Sequence, residues 1–219
     1  MKAKLILFFL PLIIVCFAVS GAHATLQDDV DQAVSIIDRF EEIPETAIPP
    51  AVMRDAKGLA IITITKAGFI VSGRGGTGIV ISRTESGWSG PSAIGTGGGG
   101  FGFQVGGQVT EFVIILNTRA AVQAFARGGN VEFGGALSVA AGPIGRAAEA
   151  GILPVAAVYT YSRSQGLFAG ASLEGTILLA QSDKNARYYG EPVTPEQILS
   201  GRVAPPPSAR QLIATLSQY

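Results

Sequence analysis

The stretch Phe69-Ile70-Val71-Ser72-Gly73-Arg74-Gly75-Gly76-Thr77-Gly78-Ile79-Val80-Ile81 decides the fold. Its odd positions run Phe69, Val71, Gly73, Gly75, Thr77, Ile79, Ile81, and its even positions run Ile70, Ser72, Arg74, Gly76, Gly78, Val80. Side chains two apart share one face of a strand. The same glycine-interrupted alternation returns at Phe101–Gly107, Val131–Ala141 and Leu167–Leu179. Such strands carry one bulky apolar face and one nearly bare face. Glycine weakens a strand unless a neighbour must approach the backbone or the sheet must bend sharply. A bare face across several strands therefore implies a tightly coiled sheet, close packing against it, or a ligand surface.

Working outward, strands are expected at 59–65, 68–82, 92–107, 109–116, 131–141, 155–164 and 167–181. Phe112–Leu116 is apolar on both faces and reads as a central strand. Leu26, Val30, Ala33, Val34, Ile37 and Phe40 recur at helical spacing and predict an amphipathic helix over 26–42. A short helix is expected at 50–57, ended by Gly58, and another at 119–127, capped by Asn117 or Thr118 and closed by Gly128-Gly129. Thr194-Pro195-Glu196-Gln197 is a capping box with proline at the first helical position, and Ser208-Ala209-Arg210-Gln211 reads as a second box opening a C-terminal helix. The expected class is α+β: a glycine-rich, strongly coiled antiparallel sheet of six to seven strands flanked by short helices.

Composition bounds the function. Glycine, at 29 of 219 residues, is about twice its usual share, and charged residues are 15% against a norm of roughly 25%. The formal net charge is zero, which gives no argument for nucleic acid. Lys2 and Lys4, the apolar run Leu5–Val19 and the small-x-small site Ala22-His23-Ala24 predict a secretory signal over 1–24, cleaved before Thr25. Residues 25–219 are then one domain: acidic helix 26–42, sheet core 58–181, C-terminal helices 183–219. Cys16 and His23 are the only cysteine and histidine, and both lie in the leader. Cleavage would leave no disulfide, no Cys or His zinc site, no Cys nucleophile and no Ser-His catalysis. No catalytic residue, metal or cofactor is expected. Residues 25–45 hold seven acids against Arg39 alone; that segment reads as a solvated face, or else it lies on the basic body formed by the rest of the chain and masks it.

Gly73–Gly78 and Gly97–Gly102 match a dinucleotide fingerprint literally, but neither opens a helix, which phosphate binding there requires. Arg74 has two readings: a structural ion pair, with Glu174 as the natural acid, or a bidentate clamp on an anionic headgroup. Lys57, Lys66, Arg83, Arg119, Arg127, Arg146 and Arg163 flank strand ends and loops, where such residues attract anionic lipid. Trp88 sits in a turn and suits either a membrane interface or packing on the sheet edge. Lys57, Lys66, Arg74, Arg83, Arg127, Arg146, Arg163 and Trp88 are the candidate lipid-binding set.

Several stretches together resemble the SYLF lipid-binding domain family. They include Ala56-Lys57-Gly58-Leu59-Ala60-Ile61, Lys66-Ala67-Gly68-Phe69, Arg74-Gly75-Gly76-Thr77-Gly78 and Trp88-Ser89-Gly90-Pro91. Val113-Ile114-Ile115-Leu116-Asn117, Phe125-Ala126-Arg127-Gly128-Gly129-Asn130 and Ala141-Gly142-Pro143-Ile144-Gly145-Arg146 follow in order. Tyr159-Thr160-Tyr161-Ser162, Gly166–Gly175 and Asn185-Ala186-Arg187-Tyr188-Tyr189-Gly190 complete the series. The resemblance implies a phosphoinositide- or anionic-lipid-binding module, not an enzyme. Eukaryotic members use a basic N-terminal helix, and the equivalent helix here is acidic, so phosphoinositide preference does not simply carry over. The leader and bare domain resemble bacterial members, which implies a periplasmic or envelope location. On this reading actin binding is not expected. The alternative is a structural or interaction protein that docks a protein partner through the glycine-lined sheet face.

Overall fold

The computed structural model describes residues 24–42, 47–133, 138–142, 156–166 and 176–219. Residues 1–23 of the leader, Arg146 and Glu174 lie outside the described residues. The chain opens with α1 (Leu26–Glu41) and α2 (Pro50–Asp55). A long hairpin follows: β1 (Gly58–Thr84), the short β2 (Gly87–Trp88) and β3 (Ser92–Leu116). After it come α3 (Arg119–Ala126), β4 (Val131–Glu132), β5 (Val139–Ala141), β6 (Val158–Gly166) and β7 (Ile177–Ala180). The chain ends in α4 (Ser182–Tyr189), α5 (Pro195–Leu199), a 3-10 turn at Pro207–Ala209, and α6 (Arg210–Leu216).

The strands form one seven-stranded sheet in the order β2-β1-β3-β6-β5, with β7 bridging β3 and β4. Every pairing is antiparallel except β5 with β6. This is the expected α+β class, with a strongly coiled sheet and short flanking helices.

Length explains the coiling. A straight strand of 27 residues would span on the order of 90 Å. Yet the Arg83 backbone N–H donates to the Lys57 carbonyl at 2.9 Å, so the two ends of β1 meet. The chain doubles back on itself about its middle. A Cβ on Gly76 would stand 2.6 Å from the Thr63 carbonyl oxygen, and one on Gly78 would overlap the Ile61 carbonyl oxygen. These glycines answer the need for close backbone approach.

The expected breaks at 65–68 and 107–109 are corrected by the structure, which runs each pair of strands together. Ala67 still pairs with Gly107 and Gly68 with Gly106, and a register shift between Phe69 and Val71 absorbs the curvature. Gly106 takes a φ of +140°, which lets the ladder bend instead of ending. The second capping box is also corrected. Pro207–Ala209 forms a 3-10 turn, and α6 begins with no side-chain cap. The box at Thr194 is present, with Thr194 and Gln197 bonding reciprocally, and the Thr118 side chain caps α3.

Core packing lies on both faces of the sheet. Leu59, Ile61, Ile79, Ile81, Val113 and Ile115 pack with α1, α2 and α6. Ala60, Ile62, Val80, Phe112, Ile114 and Leu116 pack with α3, β4 and Leu199. Phe112–Leu116 is thus central, as its two apolar faces require, and near the strand ends neither face is bare. Among the described residues, no helix is long and apolar enough to cross a membrane.

Candidate functional site

The meeting of the two ends of β1 gathers cations. Lys57 immediately precedes the strand, and its carbonyl receives the Arg83 N–H. The Arg83 side chain turns to the end of α2, donating from Nε to the Ala56 carbonyl at 3.3 Å and from Nη2 to Met53 at 3.4 Å. A cation at a helix C-terminus is favoured by the macrodipole. The Arg83 guanidinium also stacks on the Trp88 ring at 4.3 Å. Burial lowers the Arg83 pKa below its ordinary value, against the pull of Asp55. Arg119, exposed at the start of α3, donates Nη1 to the Arg83 carbonyl at 2.5 Å. Lys57, Arg83 and Arg119 therefore meet at one edge, and exposed Arg54, next in sequence to Met53, is paired with Asp55 at 3.5 Å.

A groove leads away from this edge. Its first part lies between α3 and α5, holds about 440 Å³, and is lined by Arg119, Val122, Gln123, Ala126 and Arg127 from one helix. Those five residues follow i, i+3, i+4, i+7, i+8 spacing and occupy one helix face. Leu199 and Ser200 face them, with Val122 and Leu199 buried as the floor. The groove continues past Arg119 into a further 530 Å³ beside the turn Thr84–Ser86. The opposite wall carries Glu196, which is already paired with Arg202 at 2.6 Å.

Other members of the candidate set lie elsewhere. Arg74 and Lys66 sit toward the bend of the hairpin, with Arg74 register-paired to Gly98 and Lys66 to Gln108. The Arg74 side chain lies over Gly98, where an added Cβ would stand 3.2 Å from its Nε. Arg163 lies opposite Glu111 and donates to the Arg39 carbonyl at the end of α1. Glu111 itself pairs with Arg39 at 2.5 Å. The acid's partner is thus a helix arginine. Trp88 is buried, not presented at a turn tip: its Nε1 donates to the Leu216 carbonyl at 3.1 Å under α6. Packing, the second reading of that ring, is what the structure adopts. Both dinucleotide-like glycine runs lie inside strands.

Three features escaped sequence reasoning. Asp29 is buried in the sheet-facing side of α1, accepting from Thr77 Oγ1 at 2.7 Å and from Lys184 Nζ at 2.9 Å. Burial raises its carboxyl pKa despite both partners. The reading of 25–45 as a solvated face fails at this residue, because α4 supplies a cation that only tertiary structure brings near. The second feature is the weight of Arg119 in the basic edge. The third is the α3 groove face; two arginines bracketing an apolar stripe are the signal that could have found it.

Residues 97–219 match the model of the Ysc84 family, described as a Las17-binding protein actin regulator. The chain is 46% identical over 204 residues to an SH3 domain-containing protein of Schizosaccharomyces pombe, covering 89% of this chain and 47% of that one. It is 45% identical to LAS seventeen-binding protein 3 of Saccharomyces cerevisiae, covering 88% of this chain and 44% of the relative. It is 44% identical to human SH3 domain-containing YSC84-like protein 1, covering 90% and 60%. The chain thus spans about half the length of these relatives. These descriptions name binding proteins and an actin regulator. They overturn the expectation that actin binding lies outside this chain's range. The segment shared with a relative of that family is 89% of this chain. The chain belongs to the Ysc84/SYLF domain family.

Proposed function

We propose that this chain is a non-enzymatic binding module that attaches peripherally to anionic lipid headgroups at an envelope membrane, after export and cleavage before Thr25. The observation that carries this reading is the convergence of Lys57, Arg83 and Arg119 where the two ends of β1 meet. Each cation near an anionic surface contributes on the order of 1 kcal/mol, and that attraction decays within a Debye length. Arg83 is occupied by α2 and Trp88, and Arg54 is paired with Asp55 at 3.5 Å, so Lys57 and Arg119 would make the contact. Co-sedimentation with phosphatidylserine vesicles tests it. Binding should fall steeply with salt and drop about tenfold in a Lys57→Glu, Arg119→Glu double variant. Salt-independent binding, or an unaffected double variant, refutes the reading. Export is checked by intact mass: Thr25 should be the N-terminal residue.

A second reading, actin binding, is favoured by the actin-regulator description of the matched family. Co-sedimentation of residues 25–219 with purified filaments tests it directly. Filament binding without vesicle binding would make this the function.

A further inference from the structure

The geometry points to the groove between α3 and α5 as a docking site for a short acidic segment of a protein partner, with an apolar residue midway between two carboxylates. Its shape argues for this occupant. Arg119 and Arg127 stand eight residues apart on α3, a rise of about 12 Å. The floor between them is Val122, Ala126 and Leu199. A lipid brings one anionic end and an apolar tail. A cleft with a cation at each end and an apolar middle is complementary to a ligand with two acidic ends. A flat bilayer cannot follow a recessed cleft.

An extended chain advances about 3.4 Å per residue, so carboxylates four positions apart span about 14 Å and reach both arginines. The side chain midway between them lies on the same strand face and points at the floor. The charge balance agrees. Glu196 is neutralised by Arg202, which leaves Arg119 and Arg127 as the net charge of the cleft. Arg119 is pre-oriented by its bond to the Arg83 carbonyl, so less side-chain freedom is lost on binding. This inference goes beyond the headgroup binding proposed above and does not rest on it.

The test uses residues 25–219 and a fluorescein-labelled peptide, Gly-Glu-Ser-Leu-Ser-Glu-Gly, followed by polarisation. A charge-swapped peptide with lysine in place of both glutamates is the control. The acidic peptide should bind saturably and the control should not. Arg127→Glu, on an exposed residue, should weaken binding about tenfold or more. Ala126→Trp, which fills the floor, should do the same. Thermal melts confirm that both variants fold. Phosphatidylserine vesicles form the second arm. Ala126→Trp should leave vesicle binding unchanged, and Lys57→Glu should weaken vesicle binding while sparing the peptide. No saturable binding at millimolar peptide, equal binding of the lysine control, or wild-type peptide affinity in a folded Ala126→Trp protein overturns the proposal. Loss of vesicle binding with retained peptide binding in Ala126→Trp would give the cleft to lipid and overturn it too.

Discussion

Glycines that look alike in the sequence have different reasons for being glycine. A Cβ on Gly78 would meet the backbone of Ile61 and Ile62, and backbone cannot yield as a flexible side chain can. Gly78→Ala should therefore cost about 2–4 kcal/mol, at or above the usual range for overpacking. Gly73 and Gly97 have nothing within 4 Å of the same added atom. Gly97→Ala should be neutral or should stabilise by roughly 0.5–1 kcal/mol through the unfolded chain. Urea unfolding of both variants checks the contrast, and equal effects would refute the fold-back explanation. Asp29 offers a second residue-scale prediction. Its folded-state pKa is raised by burial above the usual 3.8. The native state then holds the proton more tightly than the unfolded chain. Asp29's contribution is full below the unfolded value and fades as pH rises through the folded one. Relative to Asp29→Asn, the wild type should lose stability as pH rises from below the ordinary carboxylate value of 3.8. A wild type that gains on the variant over that rise would mean that pairing with Lys184 outweighs burial.

At the scale of elements, α1 was legible in the sequence because its period is helical and its cap is local. Thr25 and Asp28 form a reciprocal capping box, and Leu26, Val30, Val34, Ile37 and Phe40 are all buried. The hairpin was legible as alternation but not as continuity. Pattern alone cannot tell a glycine that ends a strand from one that bends it. The difference lies in Gly106's positive φ and in ladder pairs from residues about forty positions away. The basic edge was legible only as a list of cations, because it is assembled from α2, both ends of β1 and the start of α3. The packing of α1 decides how masking of a basic surface can be tested. Burying each of its large apolar side chains stabilises by roughly 1.5–3 kcal/mol, so several together rival the whole stability of a domain. Deleting residues 25–45 should therefore unfold the protein rather than unmask a surface, seen as loss of a cooperative melt. Neutralising exposed acids, Asp31→Asn with Asp38→Asn, keeps the core and should raise vesicle affinity if α1 screens the surface electrostatically. Unchanged affinity in that folded variant would end the screening idea.

Across the whole molecule, the far C-terminus closes the hairpin that opens the sheet. Leu212 and Leu216 of α6 enter the core shared with α1, and the Leu216 carbonyl accepts from Trp88 Nε1 at 3.1 Å. Trp88 is the only tryptophan in the chain, so it reports on this closure alone. It is 7% exposed, with Arg83 stacked on its ring. Native emission should be blue-shifted, and a chain ending at Pro206 should show red-shifted emission and a lower melting temperature. The same ring separates membrane contact from packing. If lipid meets the edge at Lys57 and Arg119, Trp88 stays beneath α6 during binding. Vesicles with brominated acyl chains should then leave its emission unquenched even when co-sedimentation shows the protein bound. Quenching by those chains would require α6 to swing away from Trp88, and would make the tryptophan part of the lipid contact after all. An unquenched ring on bound protein would place attachment at the cationic edge, with the sheet, α1 and α6 holding their packed arrangement at the membrane surface.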